Sequence, residues 1–379
     1  MRVVLVDPHD LGRMPHVFTL KALTYWREHG ADVSVSGPGA LDAYLETPDL
    51  VQVTTPLFSW YLRESLDSVR QWAATGCEVE VGGVLASNHP KAYEDLGVRV
   101  RKGIWWEIEA SRPACEDFPD LPISRFFATH GCNGCPLGLR VDPDNGDFAC
   151  LVPRFEGRTL REVPNWPDHV CDRHHGLREL MDNAVNMAPP EVLWHVRETI
   201  TKPTNLSSGV EANTFNDRAG EILGPVPFRP WRTAFDETRE ERGFVRTIEI
   251  LAANGVDPKR VHVYVLYGHQ DDLEDAEYRV RRVFEMGSWP FAMRYVPLNH
   301  TDGKRTYLPP SWEREDYINF ARWVNLQKRL GLAKHGEPQL DRLVPFLKWL
   351  NDGAGHPDRV RRESNIQPTP ATVITDPAI

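Results

Sequence analysis

Three of the six cysteines fall within nineteen residues, as Cys132-x2-Cys135-x14-Cys150, and their type and spacing could do chemistry. Thiolates are soft ligands that hold zinc and iron–sulfur clusters. Three are one fewer than a closed tetrahedral zinc site or a fully protein-ligated four-iron cluster requires. Two readings follow. Either one metal position stays open to a small chelating molecule, or a fourth donor from Cys171, His174 or His175 completes a structural zinc site. A Cys-x2-Cys pair alone does not separate them. Cys77 and Cys115 read as small buried apolar side chains, and Cys171 with His174 and His175 as surface loop residues. Six cysteines are few for 379 residues, and a reducing compartment argues against reading them as a disulfide framework.

The elements that must position these residues are legible as alternating apolar runs. Strands are expected at Val3–Val6, Val33–Val35, Leu50–Val53, Cys77–Val81 and Val98–Val100. Helices carrying Val17, Leu20, Leu23 and Trp26, and Leu62, Leu66, Val69 and Trp72, lie between them. Such alternation predicts a parallel sheet with helices on both faces, so residues 1–110 read as a flavodoxin-like doubly wound domain. The proline- and acid-rich stretch Arg112–Pro122 reads as a boundary. Residues 124–300 then repeat the alternation, with strands expected at Arg125–Thr129, Leu177–Met181, Asn205–Val210, Arg229–Phe235, Val261–Tyr267 and Phe291–Val296. Six such units predict a partial (β/α)6 barrel, whose chemistry collects where strands end. The overall class is α/β. Residues 301–352 read as a C-terminal helical extension, with helices at 313–330 and 338–351, and residues 353–379 as a polar disordered tail.

The run FFATHGCNGC, followed by FACLVPRFEG, resembles the cluster loop of radical S-adenosylmethionine (SAM) proteins of the cobalamin-binding-domain type. The strand segments Leu180–Asn183, Ser208–Glu211, Thr233–Asp236, Tyr264–Gly268 and Pro290–Tyr295 resemble successive barrel strands of that family, in order, and Arg322–Asn325 fits near the end. The family's usual spacing is Cys-x3-Cys-x2-Cys. Here the second gap opens to fourteen residues, with Asp142–Gly146 reading as a tight turn that returns Cys150, and His130 stands where arginine is common.

The resemblance implies a radical SAM enzyme with a [4Fe-4S] cluster on Cys132, Cys135 and Cys150. It would cleave SAM reductively to a 5′-deoxyadenosyl radical and modify a small molecule or biopolymer by methyl transfer or rearrangement. It implies SAM contacts from Asp182, Asn183, Glu211 and Asp236, carboxylates being suited to an ammonium or ribose hydroxyls. Asp236 reads alternatively as a helix N-cap. Tyr267–His269, Arg294 and Tyr295 would face adenine or substrate. Asp7-Pro8-His9-Asp10-Leu11-Gly12 matches the Asp-x-His-x-x-Gly pattern of cobalamin domains, with His9 on cobalt and Asp7 orienting it. Thr55-Pro56-Leu57 and Gly82-Gly83 follow later strands at the matching places. An electron donor such as flavodoxin or ferredoxin would be the partner. The alternative is a zinc-stabilised, non-redox binding protein of the same fold.

A net charge of −10 lacks the basic footprint of a protein that grips a long nucleic-acid backbone. The polar start MRVVLVDPHD and the lack of an eighteen-residue apolar run predict a cytoplasmic protein without a membrane anchor.

Overall fold

The computed structural model describes residues 1–7, 16–37, 47–56, 59–119, 121–132, 150–171, 177–297, 300–301 and 307–329. Its first sheet is formed by β1 (Arg2–Val6), β2 (Asp32–Ser36), β3 (Leu50–Thr55), β4 (Glu78–Gly83) and β5 (Arg99–Val100), ordered β2-β1-β3-β4-β5. All four pairings are parallel. Every residue of β3 is buried, as expected for a parallel strand covered on both faces. On one face α1 (Val17–Glu28) packs Ala22 and Leu23 against Val3 and Leu5. On the other, α2 (Leu62–Ala73) packs Val69 and Trp72 against Val4, Val51 and Val53. Three short helices follow at the strand ends: α3 (Val84–Asn88), α4 (Pro90–Glu94) and α5 (Trp106–Glu109).

Six further parallel strands run in chain order. β6 (Ile123–Phe126) pairs with β9 (Leu177–Leu180), and β9 with β10 (Thr204–Leu206). β11 (Trp231–Ala234), β12 (Val261–Tyr267) and β13 (Trp289–Arg294) form the other trio. Parallel bridges Thr204–Phe228 and Val210–Thr233 join the two trios. Between β6 and β9 lie β7 (Thr129–His130), α6 (Leu151–Phe155) and β8 (Arg161–Glu162), with β7 and β8 antiparallel. The helices α7 (Pro190–Thr199), α8 (Asp217–Leu223), α9 (Glu241–Ala253) and α10 (Leu273–Glu285) cover the strands. In β12 the odd positions Val261, Val263, Val265 and Tyr267 are buried, the two-residue period of a half-covered strand. Residues α11 (Arg314–Arg329) close the end, where Asn325 brackets β13 through Ala292 N (2.8 Å) and Ala292 O (3.1 Å).

The α/β class and the two runs of alternation match expectation, and three details differ. β6 stops at Phe126 rather than running to Thr129, because Asp182 takes the Ala128 amide (2.7 Å) and Thr129 hydroxyl (2.6 Å), and the chain turns out to pair with β8. The stretch Arg112–Pro122 is packed rather than free: the Ala114 amide bonds Leu20 O at 3.1 Å, and Leu121 is buried. Cys115 and Cys171 are buried and disulfide-bonded, their Cα atoms 6.3 Å apart. Neither a lone apolar Cys115 nor a surface Cys171 is correct, because a turn at 115–117 and the segment before β9 bring together positions 56 residues apart. The expected turn at 142–146, the helix at 338–351 and the tail at 353–379 lie outside the described residues. Among the described residues no helix is long and apolar enough to cross a membrane.

Candidate functional site

The cysteine loop leaves the barrel strands through a turn with one tolerated residue. Gly131 has φ +99°, and a Cβ there would stand 2.5 Å from Thr159 O. Only glycine fits. The Gly131 amide donates to Glu156 Oε2 (3.0 Å), and the Cys132 amide to Gly157 O (3.1 Å). The start of the loop is thus held by the segment that follows α6.

Cys150 occupies the N-cap position of α6. Burial pushes its thiol up, Val152 N–H pulls it down, and the nearby thiol of Cys132 pushes it up again. Cys132 and Cys150 are thus within electrostatic reach of one another, both half-buried and outside any disulfide. Cys135, the remaining sequence-predicted ligand, lies outside the described residues, as do His174 and His175. Cys171 is committed to Cys115, so it is not a fourth donor for zinc.

Glu156 gathers the surrounding polar groups. Besides Gly131 it accepts from Asn183 Nδ2 (2.9 Å), and its Oε2 is 3.3 Å from His130 Nδ1. The other ring nitrogen of His130, Nε2, is 3.0 Å from Glu109 Oε1 on α5. Burial draws the imidazole down, but Glu109 and Glu156 outweigh it and hold His130 up at about 9. Glu109 in turn feels burial pushing it up, which His130 and Lys21 overcome, leaving it at about 2. Lys21, fully buried on α1, bonds the carboxylate and the carbonyl (3.0 Å) of Glu109. Phe127 and Trp106 wall the imidazole, with ring centroids 4.6 and 5.8 Å away.

Sequence reasoning singled out none of Lys21, Glu109 and Glu156. A lysine within the apolar run Leu20–Leu23 of a helix was the available signal, since a buried ammonium requires a partner.

The other predicted positions fall at strand ends. Asp182 is fully buried with both oxygens engaged by Ala128 and Thr129, and burial raises it to about 6. Glu211 accepts from the Asn213 amide (3.1 Å) and side chain (2.9 Å), and burial raises it. Asp236 accepts from Leu266 N (2.9 Å); burial lifts it to about 7, and Glu240 and Glu211 add to the rise. Asp236 is not an N-cap: Glu237 fills that place, in a capping box with Glu240. Asp236 borders a cavity of about 830 Å³ at the ends of β11–β13, also lined by Gly268, His269, Tyr295 and Tyr307. Tyr267 does not reach it; the ring is buried and its hydroxyl bonds Tyr317 O at 2.9 Å. Arg294 lies over the Tyr317 ring, its guanidinium carbon 5.2 Å from the centroid.

On the first sheet, His9 and Leu57 lie outside the described residues. Asp7 is buried and accepts the His16 amide at 3.1 Å. Thr55 donates to Gly82 O (2.7 Å), and a Cβ on Gly83 would meet Thr55 O at 2.5 Å. These strand ends approach α6. Arg154 reaches Asn88 Oδ1 at 3.4 Å, and a Cβ on Gly103 would meet Phe155 O at 2.9 Å. The C-terminal edge of the first sheet therefore abuts the helix that begins at Cys150.

No protein-family model matches the sequence, and no curated protein matches it. Among solved structures, the chain is similar to the radical SAM methyltransferase TsrM from Kitasatospora setae, determined with cobalamin and a [4Fe-4S] cluster bound. The TM-score is 0.59 at 13% identity, covering 79% of this chain and 77% of that one. At that identity the likeness is one of fold.

Proposed function

We propose that this chain is a radical SAM enzyme whose [4Fe-4S] cluster is held by Cys132, Cys135 and Cys150. In this reading residues 1–110 are a flavodoxin-like, cobalamin-binding-like unit, 124–300 a partial (β/α)6 barrel and 301–352 a helical extension. The observation that carries it is that Cys132, just after β7, and Cys150, at the start of α6, are half-buried, outside any disulfide and close enough to influence each other's charge. The fold shared with TsrM, which was determined with that cluster, supports it.

The donor set fits. Two half-buried thiols within electrostatic reach of one another, with a third cysteine three residues past Cys132, offer the soft ligands an iron–sulfur cluster takes. When bound, such a cluster supplies the electron that cleaves the SAM sulfonium. The protein's own part is positioning and exclusion of water. Gly131 and Glu156 fix the turn into Cys132. Asp182 holds the strand end that leads to it, so its contribution is to geometry. Asn183, Glu211 and Asp236 are the groups we assign to the SAM ammonium and ribose. The cavity beside Asp236 is assigned to the substrate, modified by methyl transfer or rearrangement.

Cobalamin at the ends of β1, β3 and β4, with His9 as axial base, is the second part of the reading. It is favoured by the abutment of that edge on α6, and it makes methyl transfer the preferred outcome. A flavodoxin or ferredoxin would deliver the electron.

The test is anaerobic incubation of the iron-loaded protein with SAM and a low-potential reductant, followed by mass spectrometry. 5′-Deoxyadenosine, or S-adenosylhomocysteine with a methylated product, supports the reading. Colourless protein carrying one equivalent of zinc, with no SAM turnover, contradicts it and supports the zinc-stabilised binding protein.

A further inference from the structure

A line of alternating charges crosses from the first sheet to the cysteine turn: the buried Lys21, Glu109 and His130, then the part-exposed Glu156. Lys21 has no exposed side-chain surface, Glu109 8% and His130 6%, so water does little to screen them. Ion pairs so placed are rarely retained for stability, because desolvation offsets most of their attraction and an apolar replacement of similar shape is often neutral. What such a pair fixes well is orientation. Lys21 grips both the side chain and the carbonyl of Glu109. Glu109 Oε1 then stands 3.0 Å from Nε2 of His130, at ion-pair distance without hydrogen-bond alignment, while Glu156 Oε2 lies 3.3 Å from Nδ1, so the imidazole sits between two carboxylates. The same Glu156 oxygen takes the Gly131 amide, one residue before Cys132.

We propose that Lys21 and Glu109 are positioning residues, which lock the His130 ring and through it the Gly131–Cys132 turn. Lys21 lies on α1 against the first sheet and Cys132 follows β7, yet a chain of side-chain contacts joins the one to the turn that enters the other. The inference rests on the reading of Cys132 as a cluster ligand, and its test separates the two claims.

Full-length protein is compared with Lys21→Met, Glu109→Leu and Glu109→Gln, after circular dichroism and thermal melting identify the folded variants. In metal-free protein, the alkylation rate of each cysteine by iodoacetamide is read by peptide mass spectrometry. Lys21→Met and Glu109→Leu should speed alkylation of Cys132 by about twofold or more, the scale of coupling between distant groups, leaving Cys77 unchanged. Glu109→Gln, which keeps an acceptor at the same place, should return most of the native rate. Should Glu109→Leu not fold, Lys21→Met against Glu109→Gln makes the comparison. After iron loading, Lys21→Met should also alter the low-temperature electron paramagnetic resonance spectrum of the reduced protein with SAM. Native Cys132 rates in a folded Lys21→Met protein overturn the proposal. A failure of the unsubstituted protein to take up iron overturns the cluster reading, while the alkylation rates still decide the lock.

Discussion

His130 Nε2 stands 3.0 Å from Glu109 Oε1, joining the turn that enters Cys132 to the last residue of a helix belonging to the first sheet. Neither residue is near the other in sequence, and the contact is enclosed by Trp106 and Phe127. The candidate site is therefore braced from outside the strands that carry it.

The brace should show as energetic coupling. Lys21→Met leaves Glu109 with one buried cation instead of two and should cost about 3 kcal/mol of unfolding free energy. Adding Glu109→Gln removes the charge that Lys21 neutralised, so the double variant should lose about 1 kcal/mol or more less than the sum of the singles. Urea denaturation of the four proteins closes the cycle; additive losses would mean that the two side chains act independently.

Gly131→Ala should disable the turn. With φ +99° and Thr159 O at 2.5 Å from the new Cβ, the backbone must shift, at about 1–3 kcal/mol. The melting temperature should fall and iron retention with it, as read by thermal melting and iron analysis. A variant with native iron content would show that the turn tolerates a side chain.

Glu156→Ala should strip acceptors from the Gly131 amide, Asn183 and His130 together. Glu156 is part-exposed, so water replaces some of these bonds, and a loss of about 2 kcal/mol is expected. Chemical denaturation measures it. A loss within experimental error would place these groups in contact with solvent instead.

How much of this was written in the sequence follows from the range of the contacts. The run VHVYVLY at Val261–Tyr267 gave its strand to the residue, because burial alternates with the residues themselves. α9 and α10 ended before Gly255 and Gly287 as their apolar spacing required. By contrast, Lys21 with Glu109 spans 88 positions and Cys115 with Cys171 spans 56, and no local period encodes such partners. Asp182 was singled out as a strand-end carboxylate, but its oxygens are turned to Ala128 and Thr129, a direction that depends on where β6 stops.

Asp236 should leave a signature in pH dependence. Burial lifts its carboxyl to about 7, above its value of 3.8 when unfolded. Between these values the folded protein holds the proton more tightly than the unfolded chain, so this group's contribution to stability falls as pH rises and levels off above about 7. Asp236→Asn can still accept from Leu266 and does not titrate. Its stability relative to the unsubstituted protein should therefore improve from pH 4 to pH 7, by about 3 kcal/mol, and level off above that. Denaturation midpoints for both proteins across that range give the answer; a constant difference would mean that Asp236 is ionised throughout.

The central claim is that Cys132 and Cys150 hold a cluster. Anaerobic iron and sulfide loading of the unsubstituted protein, Cys132→Ala and Cys150→Ala, followed by electron paramagnetic resonance after reduction with and without SAM, tests it most directly. The account predicts a reduced [4Fe-4S] signal that changes when SAM is added, and its loss in both variants. An unsubstituted protein that binds zinc and no iron, or a Cys150→Ala protein that keeps the full SAM-sensitive signal, would contradict it.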